Sequence, residues 1–154
     1  MSTARLLEHH PLLARLGPEQ LDHIVAAGEL ETFGPGEVVV VEGSLGDALY
    51  LVLTGRVEVA KGGHPLARLV AGEFFGEMAL VEPAPRSATV TAIEPSFLYR
   101  LPYIQLQALL RDDPMAGTAL LVEVVKTLSE RLRHANRLVS SVGHLADWLA
   151  GSLV

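Results

Sequence analysis

Short apolar runs separated by glycine turns fill residues 31–103, and this pattern restricts the fold more than any other feature of the chain. Six runs rich in valine, leucine and threonine occupy residues 38–41, 49–53, 57–60, 66–70, 89–93 and 97–101. Glycine or proline stands between most neighbouring runs. Runs of this length with such boundaries are typical of β-strands joined by tight turns. Six of them in one domain predict a sandwich, a barrel or a roll.

Helical patterns flank this region on both sides. Residues 1–30 carry leucines at helical spacing, with Pro11 and Pro18 as helix starts. After the last strand, the sequence predicts a short helix from Tyr103 to Leu110 and a long helix from about Met115 to at least Ser140. We therefore expect one domain, mainly β, made of N-terminal helices (1–30), a strand region (31–103) and C-terminal helices (104–154).

Composition excludes several classes of function. The chain has 154 residues and is 49% hydrophobic, enough for a buried core. Its formal net charge of −6 argues against nucleic acid as a direct partner, because phosphate binding needs a basic face. Cysteine is absent, which excludes disulfides and thiolate chemistry. No signal peptide or membrane-spanning apolar run is recognisable, so we expect a cytoplasmic protein without a membrane partner.

The segment from residue 72 to residue 92 carries the groups best suited to ligand binding. Gly76 opens a short predicted helix, where backbone N–H groups lack partners and suit an anion. Glu77 follows it, and a carboxylate there suits a sugar hydroxyl or an arginine rather than a phosphate. Arg86 offers a fork of donors that matches phosphate oxygens, and Ser87 adds a hydroxyl. The alternative is that Glu77 and Arg86 form an ordinary surface ion pair.

This segment resembles the phosphate-binding cassette of the cyclic-nucleotide-binding family, which includes catabolite activator protein and protein kinase A regulatory subunits. The resemblance is carried by Phe75-Gly76-Glu77-Met78-Ala79-Leu80 and by Pro85-Arg86-Ser87-Ala88-Thr89-Val90. The resemblance extends upstream to residues 47–50 and to three segments that contain glycine, at 33–37, 42–43 and 55–57. The resemblance implies a β-roll (a jelly roll, or double-stranded β-helix) with helices at both ends.

The resemblance also implies roles for individual residues. Arg86 would pair with an exocyclic oxygen of the cyclic phosphate, and Glu77 would accept a hydrogen bond from the ribose 2′-hydroxyl. Ser87 and Ala88 would donate to the phosphate. The remaining predicted site residues are the cassette backbone at Gly76, Met78 and Ala79 and an apolar wall formed by Val59 and Leu66. The ligand would be cAMP or cGMP, which Ser87 does not distinguish, and no metal or other cofactor is expected.

The long C-terminal helix carries a heptad pattern. Apolar residues alternate at intervals of four and three, at Leu121, Val125, Leu128, Leu132, Ala135, Val139, Val142, Ala146 and Leu149. This stripe predicts a parallel homodimer, although a single stripe could instead pack on the roll. The register puts Arg131 at a g position and Asn136 at the next e position. The resemblance implies that Arg131 pairs with Glu77 and that Asn136 reaches the nucleotide base of the partner. Asn136 could equally be an ordinary exposed residue.

These observations favour a regulatory sensor that binds cAMP or cGMP and transmits the bound state through its C-terminal helix. The alternatives are a dimerisation or scaffold module with a vestigial pocket, or the truncated sensor domain of a transcription regulator. The 154 residues contain no basic recognition helix. Catalysis is not expected: among the six histidines only His64 lies in the strand region, which rules out a histidine metal cluster there, and no phosphate-binding Gly-Lys-Ser motif is present.

Overall fold

The computed structural model describes residues 2–152, and side chains are described for residues 2–147. The chain forms two compact units, Met1–Leu120 and Leu121–Val154. The helices are α1 (Thr3–Glu8), α2 (Pro18–Ala27), α3 (Tyr103–Asp112) and α4 (Pro114–Ser152), with short 3-10 helices at Pro11–Leu13 and Glu77–Leu80. Both helical flanks that the sequence predicts are therefore confirmed.

Ten strands, all paired antiparallel, make up the β-structure of the first unit. They are β1 (Glu29–Phe33), β2 (Val38–Val40), β3 (Leu45–Gly46), β4 (Ala48–Thr54), β5 (Arg56–Lys61), β6 (His64–Val70), β7 (Phe74–Phe75), β8 (Ala84–Pro85), β9 (Thr89–Ala92) and β10 (Ser96–Pro102). One four-stranded sheet has the order β1-β10-β4-β7, a second has the order β2-β9-β5-β6, and β3 pairs with β8. This arrangement is the expected jelly-roll fold with flanking helices.

The main core lies between the inward faces of the two large sheets. Its buried members come from both sheets and are Ala48, Tyr50, Val52, Val57, Phe75, Val90, Ala92 and Leu98. Strand β4 supplies three of them, and its alternate residues Leu49 and Leu51 are also buried. Burial on both faces explains why residues 49–53 read as a continuous apolar run rather than an alternating one.

The N-terminal helices cover the outward face of the β4–β10 pair. Leu51 pairs with Tyr99, whose hydroxyl donates a hydrogen bond to the backbone carbonyl of Ile24 in α2. His10 is buried and its Nε2 lies 3.1 Å from the carbonyl oxygen of Glu73, at the start of β7. The N-terminal segment is therefore attached directly to the strand that leads into residue 76.

The structure contains strands that the sequence pattern did not predict. The six predicted runs correspond to β2, β4, β5, β6, β9 and β10, whereas β1, β3, β7 and β8 are additional. Strands β3, β7 and β8 have two residues each, too few for a periodic pattern. Strand β1 pairs with β10 at the edge of the first sheet, and its Glu29 (exposed) and Glu31 (partly buried) interrupt any apolar run that the sequence could show. No helix in the part of the chain described here is long and apolar enough to cross a membrane.

Candidate functional site

A cavity of about 390 Å³ opens in the first unit beside the second sheet. Its lining joins four segments: the end of β7 with the second 3-10 helix, strand β3, the segment around β8, and the inward face of the β2-β9-β5 strands. The lining residues are Val40, Gly46, Val59, Phe75, Gly76, Glu77, Met78, Ala79, Ala84, Pro85, Arg86, Ser87, Ala88 and Val90. The two halves of the sequence motif, 75–80 and 85–90, thus meet around one space.

Backbone pairing fixes the position of Arg86 at this cavity. The N–H of Arg86 donates to the carbonyl oxygen of Ser44 at 2.7 Å, and the N–H of Gly43 donates to the carbonyl oxygen of Arg86 at 2.8 Å. These bonds continue the β3–β8 pairing. Arg86 is consequently held by a two-stranded ladder rather than by a free loop.

The side chain of Arg86 has its own set of contacts. Its Nη2 donates to the carbonyl oxygen of Ala48 at 2.9 Å. Its guanidinium carbon lies 5.8 Å from the centre of the Tyr50 ring, within the range of a cation–π contact. The guanidinium is half-buried beside the cavity, so an anion there would meet a cation with a defined orientation.

Two glycines leave room for this side chain. A Cβ atom on Gly76 would lie 2.5 Å from Nη1 of Arg86 and 2.7 Å from the carbonyl oxygen of Ala48. A Cβ atom on Gly46 would lie 2.8 Å from Nε of Arg86. Gly76 also has a φ of +81°, which L side chains rarely adopt. The Arg86 side chain can therefore occupy this position only because residues 46 and 76 lack a side chain.

The electrostatics of the site depend on burial. Burial lowers the pKa of Arg86 from its ordinary value, since the cation loses part of its hydration. An ordinary arginine pKa is so high that the group stays cationic at neutral pH. Glu77 is half-buried at the first position of the 3-10 helix. Among the described residues no ion pair joins Glu77 to Arg86, which disfavours the simple surface-pair interpretation.

The short helix at this site differs from the predicted one. It is a 3-10 helix of four residues, Glu77–Leu80, preceded by Gly76. A helix of one turn has little macrodipole, so the dipole part of the sequence argument does not apply. Two parts of the argument for an anion site still apply. The first residues of a helix have backbone N–H groups without partners in the helix, and Gly76 leaves open space beside them.

The predicted site residues occupy different places around the cavity. Seven members of the cassette and Val59 line it: Gly76, Glu77, Met78, Ala79, Arg86, Ser87 and Ala88. Leu66 lies on β6, is 62% exposed and is not part of the lining. The role of Leu66 in binding therefore stays a prediction without support from the cavity.

Two valines of the lining were not predicted. Val40 pairs with Val90, and Val90 pairs with Val59 across β2, β9 and β5. The three side chains form a row on the inward face of the sheet. Alternation in Thr89–Ala92, where Val90 and Ala92 are buried, is the sequence signal that could have revealed the inward-facing valine.

Arg131 and Asn136 lie on α4, in the second unit, and both are exposed. Their proposed contacts with a nucleotide stay predictions. Leu149, the last member of the heptad pattern, lies outside the residues whose side chains are described. Among the side chains described, those of residues 2–147, no group of three or more histidine, aspartate or glutamate residues is close enough to hold a metal ion.

The comparison with known families decides the identity of this fold and cavity. The family model of the cyclic nucleotide-binding domain matches residues 30–113, a range that includes every residue of the cavity lining. The chain belongs to the cyclic nucleotide-binding domain family. The segments 75–80 and 85–90, which carry the sequence resemblance, lie within the range that the family model matches.

Relatives of several kinds share this domain. The cyclic AMP receptor protein of Thermus thermophilus is 35% identical over 131 residues, which cover 82% of this chain and 59% of that protein. A cyclic nucleotide-gated potassium channel of Rhizobium etli is 40% identical over 104 residues, 68% of this chain and 29% of the channel. The crystal structure of the N-terminal domain of a transcriptional regulator from Streptomyces coelicolor superimposes with a TM-score of 0.70 at 34% identity, covering 82% of this chain and 94% of that domain. The chain thus spans less than two thirds of the length of the receptor and less than one third of the length of the channel.

Proposed function

We propose that the cavity binds cAMP or cGMP and that the domain acts as a sensor of that nucleotide. The observation that carries the proposal is the Arg86 guanidinium, oriented by Ala48 and placed at the cavity between Gly46 and Gly76. A cavity of about 390 Å³ falls within the range of small-molecule sites. Binding here needs only hydrogen bonds and packing, so we propose that the nucleotide is bound without being transformed.

The cavity offers a partner for each part of a cyclic nucleotide. Arg86 would bind an exocyclic phosphate oxygen through a charge-assisted hydrogen bond, with further donors from Ser87 and Ala88. The carboxylate of Glu77 would accept from the ribose 2′-hydroxyl, which explains an acidic residue near an anion site. The valine row of Val59, Val90 and Val40 supplies an apolar surface for the remaining part of the ligand.

We further propose that α4 forms a parallel homodimer through its heptad stripe. Four stripe residues are largely exposed: Val125 (60%), Leu132 (62%), Val139 (72%) and Val142 (67%). Large apolar side chains repeated at this spacing on a single helix favour a second copy of the same helix as their partner. Such a dimer would give the sensor a means of passing on the bound state.

Titration calorimetry of the purified chain with cAMP and cGMP tests the proposed ligand. Wild-type protein is expected to bind at least one of them, and Arg86→Ala is expected to lose about 100-fold or more in affinity, as for a buried charge-assisted contact. Arg111→Ala, at an exposed position on α3 away from the cavity lining, is the matched control and should bind like wild type. Absence of binding to both nucleotides would favour the scaffold module with a vestigial pocket.

A further inference from the structure

The aromatic ring of Tyr50 lies between the core and the cassette arginine. Tyr50 is on β4 and is only 6% exposed. Its ring is stacked on Phe75, with centroids 5.0 Å apart and an interplanar angle of 6°. The guanidinium carbon of Arg86 lies 5.8 Å from the centre of the same ring. A core aromatic thus contacts the cation that faces the cavity.

The hydroxyl end of Tyr50 is also held. It interacts with the side chain of Arg100 on the neighbouring strand β10. Nη2 of Arg100 lies 3.3 Å from Oδ1 of Asp47, and its Nε lies 3.8 Å from Oε1 of Glu31. Burial raises the pKa of Tyr50, so the phenol stays neutral at physiological pH. The ring is therefore stacked on Phe75, and its hydroxyl end interacts with Arg100, which is paired with Asp47 and Glu31.

We propose that Tyr50 is a positioning residue, which holds the Arg86 guanidinium in its cavity-facing orientation before a ligand arrives. The effect on affinity rests on the proposed nucleotide-binding function. An arginine side chain has many rotamers, and ordering it during binding weakens affinity. Because the Tyr50 ring is already rigid, it orders the Arg86 guanidinium in the free protein, and this cost does not arise during binding. The cation–π contact is stronger here than on a surface because the ring is shielded from water.

The hydrogen bond from Arg86 to Ala48 fixes one edge of the guanidinium, and the ring limits how it can tilt. Arg86 contacts the face of the Tyr50 ring, whereas the hydroxyl interacts with the side chain of Arg100, so the ring alone should be sufficient. This distinction predicts that Tyr50→Phe behaves like wild type, whereas loss of the ring does not. A residue that merely fills the core would respond to lost volume and not to the electrons of the ring.

The first test examines the free protein and needs no ligand. In side-chain ¹H–¹⁵N spectra, the Nε–H signal of Arg86 is assigned by its absence in Arg86→Lys. We expect a ring-current shift of this signal in wild type and in Tyr50→Phe, and its return toward the position of a solvated arginine in Tyr50→Leu. An Arg86 signal at the same position in wild type and Tyr50→Leu would overturn the proposal.

The second test measures how the affinity for cAMP or cGMP depends on the aromatic ring at position 50. Tyr50→Phe should bind within about twofold of wild type, and Tyr50→Leu about tenfold more weakly, the size of a desolvated cation–π contact. In the Arg86→Lys background the loss from Tyr50→Leu should shrink to about twofold. An equal loss in both backgrounds would show a purely structural role and overturn the proposal.

Pentafluorophenylalanine at position 50 provides a variant that keeps the shape of the ring if Tyr50→Leu does not fold. Fluorination withdraws the electron density that attracts a cation, so affinity should fall about tenfold relative to Tyr50→Phe. Equal affinity of the two would overturn the proposal. If wild type binds neither nucleotide, the proposed function and the affinity effect both fail, while the spectra of the free protein still decide whether Tyr50 positions Arg86.

Discussion

Nδ1 of His23 lies 2.5 Å from Oδ2 of Asp113, a contact that joins α2 to the residue before α4. Asp113 also accepts at Oδ1 from the N–H of Ala116 at 3.3 Å, and its carbonyl oxygen accepts from the N–H of Gly117 at 3.2 Å. One aspartate thus caps the start of α4 and ties it to the N-terminal helices. The imidazole and the carboxylate stabilise each other's charged forms.

This pair should make stability depend on pH in a defined window. The hydrogen bond with Asp113 raises the pKa of His23 above its ordinary 6.5, and the bond with His23 lowers the pKa of Asp113 below 3.8. The histidine's contribution is complete below pH 6.5 and is lost as the pH rises through its folded pKa. The aspartate's contribution is present above pH 3.8 and is lost as the pH falls through its folded pKa.

We therefore expect His23→Ala to lower the urea midpoint most at about pH 5, with a smaller difference from wild type above pH 8. Urea titrations of both proteins across this range measure the difference. His64→Ala, at an exposed position on β6, is the control and should show little change. An equal loss at every pH would mean that the charged pair does not contribute.

His10 should change stability in the opposite direction. It is 3% exposed, its Nδ1 accepts from the N–H of Leu12 at 3.2 Å, and burial lowers its pKa from 6.5. Protonation would remove the acceptor, and the unfolded chain takes the proton more readily. Stability from this group should decline as the pH falls through 6.5. His10→Asn keeps an acceptor that cannot titrate, so its urea midpoint should fall less than that of wild type between pH 7.5 and 5.5. Urea midpoints that fall in parallel for the two proteins would contradict the assignment of this pH dependence to His10.

Gly76→Ala should damage the cassette far more than a comparable glycine elsewhere. The new Cβ would meet Arg86 and the carbonyl oxygen of Ala48, in addition to the cost of a positive φ, about 1–2 kcal/mol. Gly62→Ala is the matched control, since Gly62 also has a positive φ but nothing within 4 Å. We expect both variants to lose stability in thermal melts, and only Gly76→Ala to lose nucleotide affinity, by about tenfold or more. Equal affinities for the two variants would place Arg86 outside the binding site.

Leu132→Asp should convert the proposed dimer to monomers. Leu132 is 62% exposed in the single chain, so an aspartate there does not disturb the core. It does put a charge into the heptad stripe through which the dimer is proposed to form. Ser140→Asp, on the same helix and outside the heptad stripe, should remain dimeric in sedimentation velocity. Should α4 transmit the bound state, Leu132→Asp also binds nucleotide about fivefold or more weakly, since linkage is reciprocal. A monomeric variant with unchanged nucleotide affinity would show that dimer formation through the heptad stripe is not coupled to binding in the cavity.

Residues near one another in the chain were the ones that sequence reasoning identified correctly. The six apolar runs became strands, and the long heptad segment became α4, because local periodicity alone determines those elements. Arg86 and Glu77, which both line the cavity, could be chosen as candidate binding residues because the motif that contains them is compact in sequence. The same reasoning put Leu66 in the apolar wall, and the cavity lining does not include it.

Only the tertiary structure brought Gly46, Tyr50 and Arg86 together. The pairing of β3 with β8 and of β4 with β7 brings Arg86 next to Gly46 and Tyr50, which precede it in the chain by 40 and 36 residues. Strand pairing also brings Val40, Val59 and Val90 into one row, which the sequence did not predict. Strand β1 was not predicted either, because its glutamates interrupt the apolar pattern. Sequence periodicity reports which face of an element is buried, but not which element lies opposite. That choice depends on strand register and on contacts between distant segments, which form only when the whole roll closes.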